Sequence, residues 1–444
     1  MDFSKIKSIH FIGIGGIGVS ALARMFFGGE KKVSGSDQAG GEVVASLKKL
    51  GIKVSIGHKA GNLPKDCDLV IYTIAISADN PELVLAREKN IPCLTYPEAL
   101  GAISASKYTI AVSGTHGKTT TTAMLGQALQ VAGLEPTIVV GSFIKDKKGE
   151  KTNYIGGGEP ARARALGERD GYFVTEACEY RRSFLNLSPQ AVIITNIDAD
   201  HLDYYKDIAD IQSAFASLVK KIPASGYLVC SVGDPLLAPV IKAAKCKVLD
   251  YSKTKLGDLK LKVPGVHNLE NAKATATLAK ALKAPQEAIL KALEAFRGTW
   301  RRFELVGKSK LGATVYSDYG HHPAEVRATI AGARELYPKK KIVVAFQPHL
   351  YSRTRQLLPE FATSLEMADQ VYLAPIYAAR EKDDGTVSSR DVADAINNLA
   401  NVEKATFCPD FKTIKKELLK FGRDSVIIVM GAGDIYEVAE KLVE

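Results

Sequence analysis

Short apolar runs of strand length alternate along the chain with segments whose apolar residues recur at helical spacing. Ile9–Ile12, Leu69–Ile74, Thr109–Val112, Ala191–Thr195, Ile342–Phe346 and Ser425–Met430 read as buried strands. Ser20–Phe27, Thr121–Val131 and Gln286–Ala295 read as helices between them. Strands that alternate with helices predict α/β domains with mainly parallel sheets. No internal repeat or low-complexity stretch interrupts the pattern.

Breaks in the pattern near Ile103–Lys107 and near Phe296–Arg302 divide the chain into domains 1–106, 107–298 and 299–444, each of ordinary size. The 444 residues are 46% hydrophobic and 24% charged, enough to bury large cores without disulfides or structural metals. None of the six cysteines forms a CxxC pair, and most sit in apolar runs, so free thiols in a reducing, cytoplasmic compartment are expected. The N-terminal lysines lead through a short apolar run into glycines with no small-residue cleavage site, so no signal peptide is expected. No run approaches the roughly 20 apolar residues of a membrane helix, so no membrane partner is expected. The net charge of +10 suits an anionic ligand or a plain solvated surface. Without a Lys/Arg tract interleaved with aromatics, nucleic acid is not an expected partner.

The sharpest local signal follows Thr109–Val112. Ser113, Gly114, Thr115, His116, Gly117, Lys118, Thr119 and Thr120 form a glycine-rich turn between a strand and a helix. Backbone N–H groups in such a turn converge on phosphate oxygens, and the helix N-terminus adds partial positive charge. Lys118 would lie against the β- and γ-phosphates, and the Thr119 hydroxyl would meet Mg²⁺. Val112 stands where the strict pattern has glycine. A second glycine loop, Gly13, Gly15, Gly16 and Gly18, lies between a strand and a helix near the N-terminus. Asp37 follows at the spacing of a ribose-binding acid. By itself this loop reads as a site for NAD(P) or FAD, or for another diphosphate that carries a ribose.

Polar groups cluster after later strands. Glu176 ends the run Tyr172–Val174 and is either a ligand facing the phosphate loop or a surface acid or helix cap. Asn196, Asp198, Asp200 and His201 follow Ala191–Thr195, and for Mg²⁺ the oxygen ligands Asp198 or Asp200 would be the chemical preference. Gly265-Val266-His267-Asn268 precedes a helical run that contains Asn271. Arg301 and Arg302 cross the second break, where arginine suits phosphoryl oxygens. Asp318-Tyr319-Gly320-His321-His322-Pro323 and Phe346-Gln347-Pro348-His349-Leu350-Tyr351-Ser352-Arg353 complete the set.

Taken in order, Gly114-Thr115-His116-Gly117-Lys118-Thr119-Thr120, the Glu176 segment, the Thr195–His201 block, Gly265–Asn271, Arg302 and the two histidine motifs resemble the Mur ligase family, which also includes folylpolyglutamate synthases. Phe346–Arg353 is most similar to the muramate–alanine branch. The resemblance implies a Rossmann-like N-terminal domain for a UDP-sugar, a central P-loop ATPase domain and a C-terminal Rossmann-like domain for an amino acid. It implies ATP and Mg²⁺, with UDP-N-acetylmuramate and L-alanine as substrates, in a monomer or homodimer. The carboxylate would attack the γ-phosphate, and the amino acid's amine would attack the resulting acyl phosphate, with domain closure excluding water.

The resemblance implies roles as follows. Gly13, Gly15, Gly16, Gly18, Ser36, Asp37 and His58 would hold the UDP-sugar. Thr119, Glu176 and His201 would ligate the metal, so that His201 takes the role chemistry alone gives to an aspartate. Asn271 would bond adenine and Asp318 the ribose of ATP. Lys118 and Arg302 would stabilise the transferred phosphoryl group. Tyr319, His321 and Arg353 would hold the amino acid, and His321 is a chemical candidate for the amine's proton. The chain departs from the usual family pattern at Cys178, Tyr180 and Leu350, which stand for Asp, Ser and Arg. A murein-peptide recycling ligase, a nicotinamide-dependent oxidoreductase and a silent nucleotide-binding protein are the alternatives.

Overall fold

The computed structural model describes residues 1–146, 149–158, 171–201, 204–379 and 381–443. It forms two compact units, Met1–Lys260 with Glu270–Ala295, and Leu261–Leu269 with Phe296–Glu444. The first holds two sheets and the second holds one.

The first sheet contains β1 (Ser8–Ile12), β2 (Lys32–Asp37), β3 (Lys53–Ile56), β4 (Leu69–Tyr72) and β5 (Cys93–Thr95) in the order β3-β2-β1-β4-β5. Every pairing is parallel. Successive side chains of a strand point to opposite faces. Leu69 and Ile71 accordingly join one buried cluster and Val70 another. Both faces are therefore covered, and the strands read as continuous apolar runs. The strand expected over Leu69–Ile74 stops at Tyr72. Beyond it the sheet has ended, and Ile74 is 39% exposed.

The second sheet contains β6 (Tyr108–Ser113), β7 (Thr137–Lys145), β8 (Lys151–Ile155), β9 (Tyr172–Glu176), β10 (Ala191–Ile194), β11 (Tyr227–Cys230) and β12 (Lys247–Asp250). Its order is β12-β11-β10-β6-β9-β7-β8, parallel except for the β7–β8 pair at one edge. Asn153 on β8 donates to Ile17 O at 2.6 Å and Ser20 Oγ at 2.8 Å, which ties this sheet to the helix Ile17–Gly28 of the first.

The sheet of the second unit contains β13 (Glu304–Lys308), β14 (Thr314–Asp318), β15 (Lys341–Phe346), β16 (Gln370–Leu373), β17 (Ala405–Phe407) and β18 (Ser425–Met430). The order is β13-β14-β18-β15-β16-β17, with only β13 antiparallel. Its alternate residues also divide between two cores: Ile342, Val344 and Phe346 face one, Val343 and Ala345 the other. No helix among the described residues is long and apolar enough to cross a membrane. All six cysteines are free thiols. Cys67, Cys230 and Cys408 are buried, while Cys178 is exposed in the loop after β9.

Candidate functional site

Two glycine loops stand at the carboxyl ends of central strands in the first unit. In the order β3-β2-β1-β4-β5 the direction of winding reverses between β1 and β4, where open α/β sheets bind ligands. Gly13 has φ +77°, and a Cβ there would fall 2.4 Å from Thr73 Cγ2. Gly16 precedes the helix Ile17–Gly28, and no side chain caps its first N–H groups. Unsatisfied N–H groups at a helix start suit an anion. A Cβ on Gly18 would meet the Tyr96 ring at 2.7 Å. Asp37 is drawn into the loop itself, because Gly15 N–H donates to its Oδ2 at 2.7 Å.

Ser36 and His58 converge on a carboxylate to which the sequence alone assigns no role. Glu82 is fully buried. It receives His10 Nε2 at 2.7 Å, Ser36 Oγ at 2.8 Å, His58 Nδ1 at 3.2 Å, Lys59 N–H at 3.2 Å and Asn62 Nδ2 at 3.1 Å. Burial works to raise the Glu82 carboxyl, but hydrogen bonds from His10, Ser36 and Asn62 outweigh it and hold the group below the usual glutamate range.

The second loop runs from β6 to the helix Lys118–Val131. Gly114 has φ +131° and Gly117 φ +83°. Gly117 is the residue before the helix, and again no side chain caps it. The loop's outer side is tied to the chain after β10. Thr115 N–H donates to Asn196 O at 3.1 Å, His116 N–H to Asn196 Oδ1 at 2.9 Å, and Thr195 Oγ1 to His116 O at 2.5 Å. Asp198 N–H donates to Thr115 Oγ1 at 2.8 Å, and the Asp198 carboxylate lies 3.4 Å from His116 Nε2. Asn271 approaches the loop closely, since a Cβ on Gly117 would lie 2.5 Å from its Oδ1.

Around the start of that helix the charged groups pair. Thr119 Oγ1 donates to Glu176 Oε2 at 3.0 Å, and Gly141 N–H donates to the other oxygen of Glu176. Thr120 is buried on the same turn. Lys118 Nζ donates to Gly114 O, Thr115 O and, at 3.0 Å, Glu179 Oε1. Burial works to lower the Lys118 ammonium, but the Glu179 carboxylate outweighs it and holds the group above the usual lysine value. Burial likewise works to raise Glu179, and Lys118 with His201 holds it below its usual range. His201 has φ +55°, and its Nε2 lies 3.6 Å from Glu179 Oε1. Tyr180, at a departure from the family pattern, packs its ring 4.9 Å from the His201 ring. The expected ligands Thr119 and Glu176 thus touch one another, and His201 is directed at Glu179. Thr119 and Glu176 offer the oxygen donors that Mg²⁺ prefers, so this pair fits that ion.

In the second unit the expected residues gather at the carboxyl ends of β14 and β15. Asp318 ends β14 and accepts from Phe303 N–H and Gly320 N–H, each at 2.7 Å. Burial outweighs the nearby Arg302 and raises its carboxyl above the usual aspartate value. The Arg302 guanidinium lies 4.9 Å from the Tyr319 ring centre and 3.8 Å from Glu325. His321 Nδ1 lies 3.4 Å from Glu325, and its ring lies 5.3 Å from Tyr319 and 5.6 Å from His349. Arg353 Nη1 stands 3.3 Å from His349 Nδ1, and the His349 ring stacks on Tyr377. Leu350 is buried with φ +70°, so its side chain occupies the interior of the unit.

The sequence assigns no role to Glu82, Glu179, Glu325 or Tyr377, although Ala78–Glu82 and the Glu176 segment that contains Glu179 both resemble the family. Glu325 carries a signal of its own, because it closes a capping box three residues after His322 at the start of the helix Pro323–Leu336.

Known proteins supply the family context. Residues 8–108 match the model for the Mur ligase family catalytic domain, 112–260 the Mur ligase middle domain, and 301–433 the Mur ligase glutamate ligase domain. The chain is 42% identical to a UDP-N-acetylmuramate–L-alanine ligase of Clostridium botulinum, over 100% of this chain and 99% of that one. It is 42% identical to the same enzyme of Clostridium kluyveri, over 99% and 98%. The crystal structure of UDP-N-acetylmuramate-alanine ligase from Thermotoga maritima matches with a TM-score of 0.81 and 31% identity, covering 99% and 98% of the two chains. A murein peptide ligase from Psychrobacter arcticus shares the fold with a TM-score of 0.70 at 22% identity, covering 98% of each chain. By the extent of these matches, with the phosphate loop and its acidic partners in place, this chain belongs to the Mur ligase family.

Proposed function

We propose that the protein is an ATP-dependent ligase that forms an amide between the lactyl carboxylate of UDP-N-acetylmuramate and L-alanine, in peptidoglycan precursor synthesis in the cytoplasm. The end-to-end likeness to relatives bearing that name is the observation that carries this reading. Residues 1–106 serve the UDP-sugar, 107–298 ATP and 299–444 the amino acid.

The γ-phosphate of ATP accepts the substrate carboxylate, giving an acyl phosphate and ADP. The amine of L-alanine then displaces phosphate from the acyl carbon. Lys118 offsets the charge that grows on the transferred phosphoryl group, as the backbone N–H groups of Gly114–Thr120 hold the other phosphates. Arg302 serves the same phosphoryl group, Asn271 the adenine and Asp318 the ribose. Thr119, Glu176 and His201 would hold Mg²⁺, which would supply charge neutralisation to the phosphates. Arg353, a planar donor, receives the alanine carboxylate, with Tyr319 and His321 beside it. On its chemistry, His321 would take the amine's proton.

The test is ATP-dependent phosphate release with UDP-N-acetylmuramate and Mg²⁺, with L-alanine, glycine and L-serine offered separately. Release should require the UDP-sugar and be fastest with L-alanine. Preference for glycine or serine would keep the ligase and change its amino acid. No release with any of them would end the proposal.

A further inference from the structure

We propose that the buried Glu82 is a positioning residue for the nucleobase end of the UDP-sugar: it fixes His58 as the tautomer protonated on Nδ1, which leaves Nε2 as a hydrogen-bond acceptor for the imide N–H of uracil. The inference rests on the UDP reading of the N-terminal domain and extends it to the base.

The tautomer follows from counting donors and acceptors. His58 Nδ1 lies 3.0 Å from Ser36 Oγ and 3.2 Å from Glu82 Oε1. The single hydroxyl hydrogen of Ser36 goes to Glu82 Oε2 at 2.8 Å, so toward His58 Ser36 can only accept. An ionised carboxylate also only accepts. Both neighbours of Nδ1 therefore require a hydrogen on it, and in the neutral ring the other nitrogen is then an acceptor. Nε2 has no hydrogen-bond partner among the described residues, and the side chain keeps 14% exposure.

Position points to the base. The glycine loop follows β1, Ser36 and Asp37 end β2, and His58 stands two residues past the end of β3. These strands are adjacent in the order β3-β2-β1, with Asp37 paired to Ile56 and Gly57 N–H donating to Asp37 O at 2.7 Å. A nucleotide with its diphosphate at the loop and its ribose at the end of β2 carries its base onward to the end of β3. Stability alone gives little reason for a fully buried carboxylate here, because apolar packing serves an interior as well or better. A fixed donor pattern is what Glu82 provides that an apolar residue would not.

The experiment measures, by calorimetry on the full chain, the Kd of UDP and of N3-methyl-UDP, whose base lacks the imide N–H. The variants are Glu82→Gln, His58→Ala and the double variant. Wild type should bind N3-methyl-UDP about tenfold more weakly than UDP, the worth of one hydrogen bond. Glu82→Gln should weaken UDP about tenfold and abolish the discrimination, and adding it to His58→Ala should change nothing further. Equal binding of both ligands by wild type would overturn the proposal. So would a Glu82→Gln effect as large in the His58→Ala background as alone. If Glu82→Gln does not fold, His58→Ala decides, because it must lose the discrimination. Failure of wild type to bind UDP at all is a separate outcome, which overturns the UDP reading and this inference with it.

Discussion

Lys118 Nζ lies 3.0 Å from Glu179 Oε1, and Glu179 is almost wholly buried. The residue that should meet the phosphates of ATP is thus already neutralised by a carboxylate of its own chain. Breaking a buried pair leaves an uncompensated charge, and the carbonyls of Gly114 and Thr115 recover only part of the loss. Glu179→Gln should therefore destabilise the ligand-free protein by about 2–3 kcal/mol. A triphosphate supplies the missing negative charge, so a non-hydrolysable ATP analogue should raise the melting temperature of Glu179→Gln more than that of wild type. An equal or smaller rise would show that Lys118 does not exchange Glu179 for phosphate.

Glu82 gives a pH dependence. Its carboxyl sits below the ordinary value of 4.5 because the bonds from His10, Ser36 and Asn62 outweigh burial. A depressed folded-state value means that folding favours the ionised form. That stability is fully present above the ordinary value and is lost as pH falls through the lower value of the folded chain. Glu82→Gln cannot titrate, so its melting temperature, lower near neutrality, should fall less steeply below pH 5. Parallel acid limbs for the two proteins would contradict the assignment.

The strands were legible because both faces of each sheet are buried, which writes them as plain apolar runs. The two glycine loops were legible because Gly13, Gly114 and Gly117 take positive φ values that glycine adopts without the cost a side chain brings. The Glu82 hub was not. His10 lies inside the apolar run of β1 and meets Glu82 across 72 residues of chain, a pairing that only the parallel sheet creates. Glu179 lies between Cys178 and Tyr180 in the Glu176 segment, yet its partner Lys118 is 61 residues away. The edge strands β8 and β13 were also hidden. Each is antiparallel and only partly buried, so neither forms a long apolar run.

Gly114 tests the geometry of the phosphate loop. A Cβ there would fall 2.0 Å from Thr195 Oγ1 and 3.0 Å from Asn196 O, at φ +131°. Thr195 Oγ1 bonds His116 O and Ser113 O, so moving it loosens the loop. Gly114→Ala should cost about 2 kcal/mol or more and weaken ATP binding at least tenfold in calorimetry. Gly40→Ala, where a Cβ meets nothing within 4 Å, should change stability by no more than about 0.5 kcal/mol. Retained ATP affinity in Gly114→Ala would mean that the loop does not hold the phosphates.

Arg301 offers a test in the second unit. The residue is 6% exposed, and its guanidinium lies 5.5, 4.9 and 4.5 Å from the ring centres of Trp300, Tyr319 and Tyr436. Its Nη2 donates to Gly431 O and, at 2.8 Å, to Gly433 O, which ties the loop after β18 to Tyr319. Lysine keeps the charge but lacks the planar face and the fork of donors. Arg301→Lys should therefore cost about 2 kcal/mol of stability, roughly one charged hydrogen bond with its stacking. Tyr319 is proposed to hold the amino acid, so the KM for L-alanine should rise severalfold as the KM for UDP-N-acetylmuramate stays within twofold. The split matters more than the stability loss, because a change confined to folding would lower the amount of active enzyme and leave both KM values where they were. Equal rises in the two constants would place Arg301 among residues that support the whole unit and not the Tyr319 end of it.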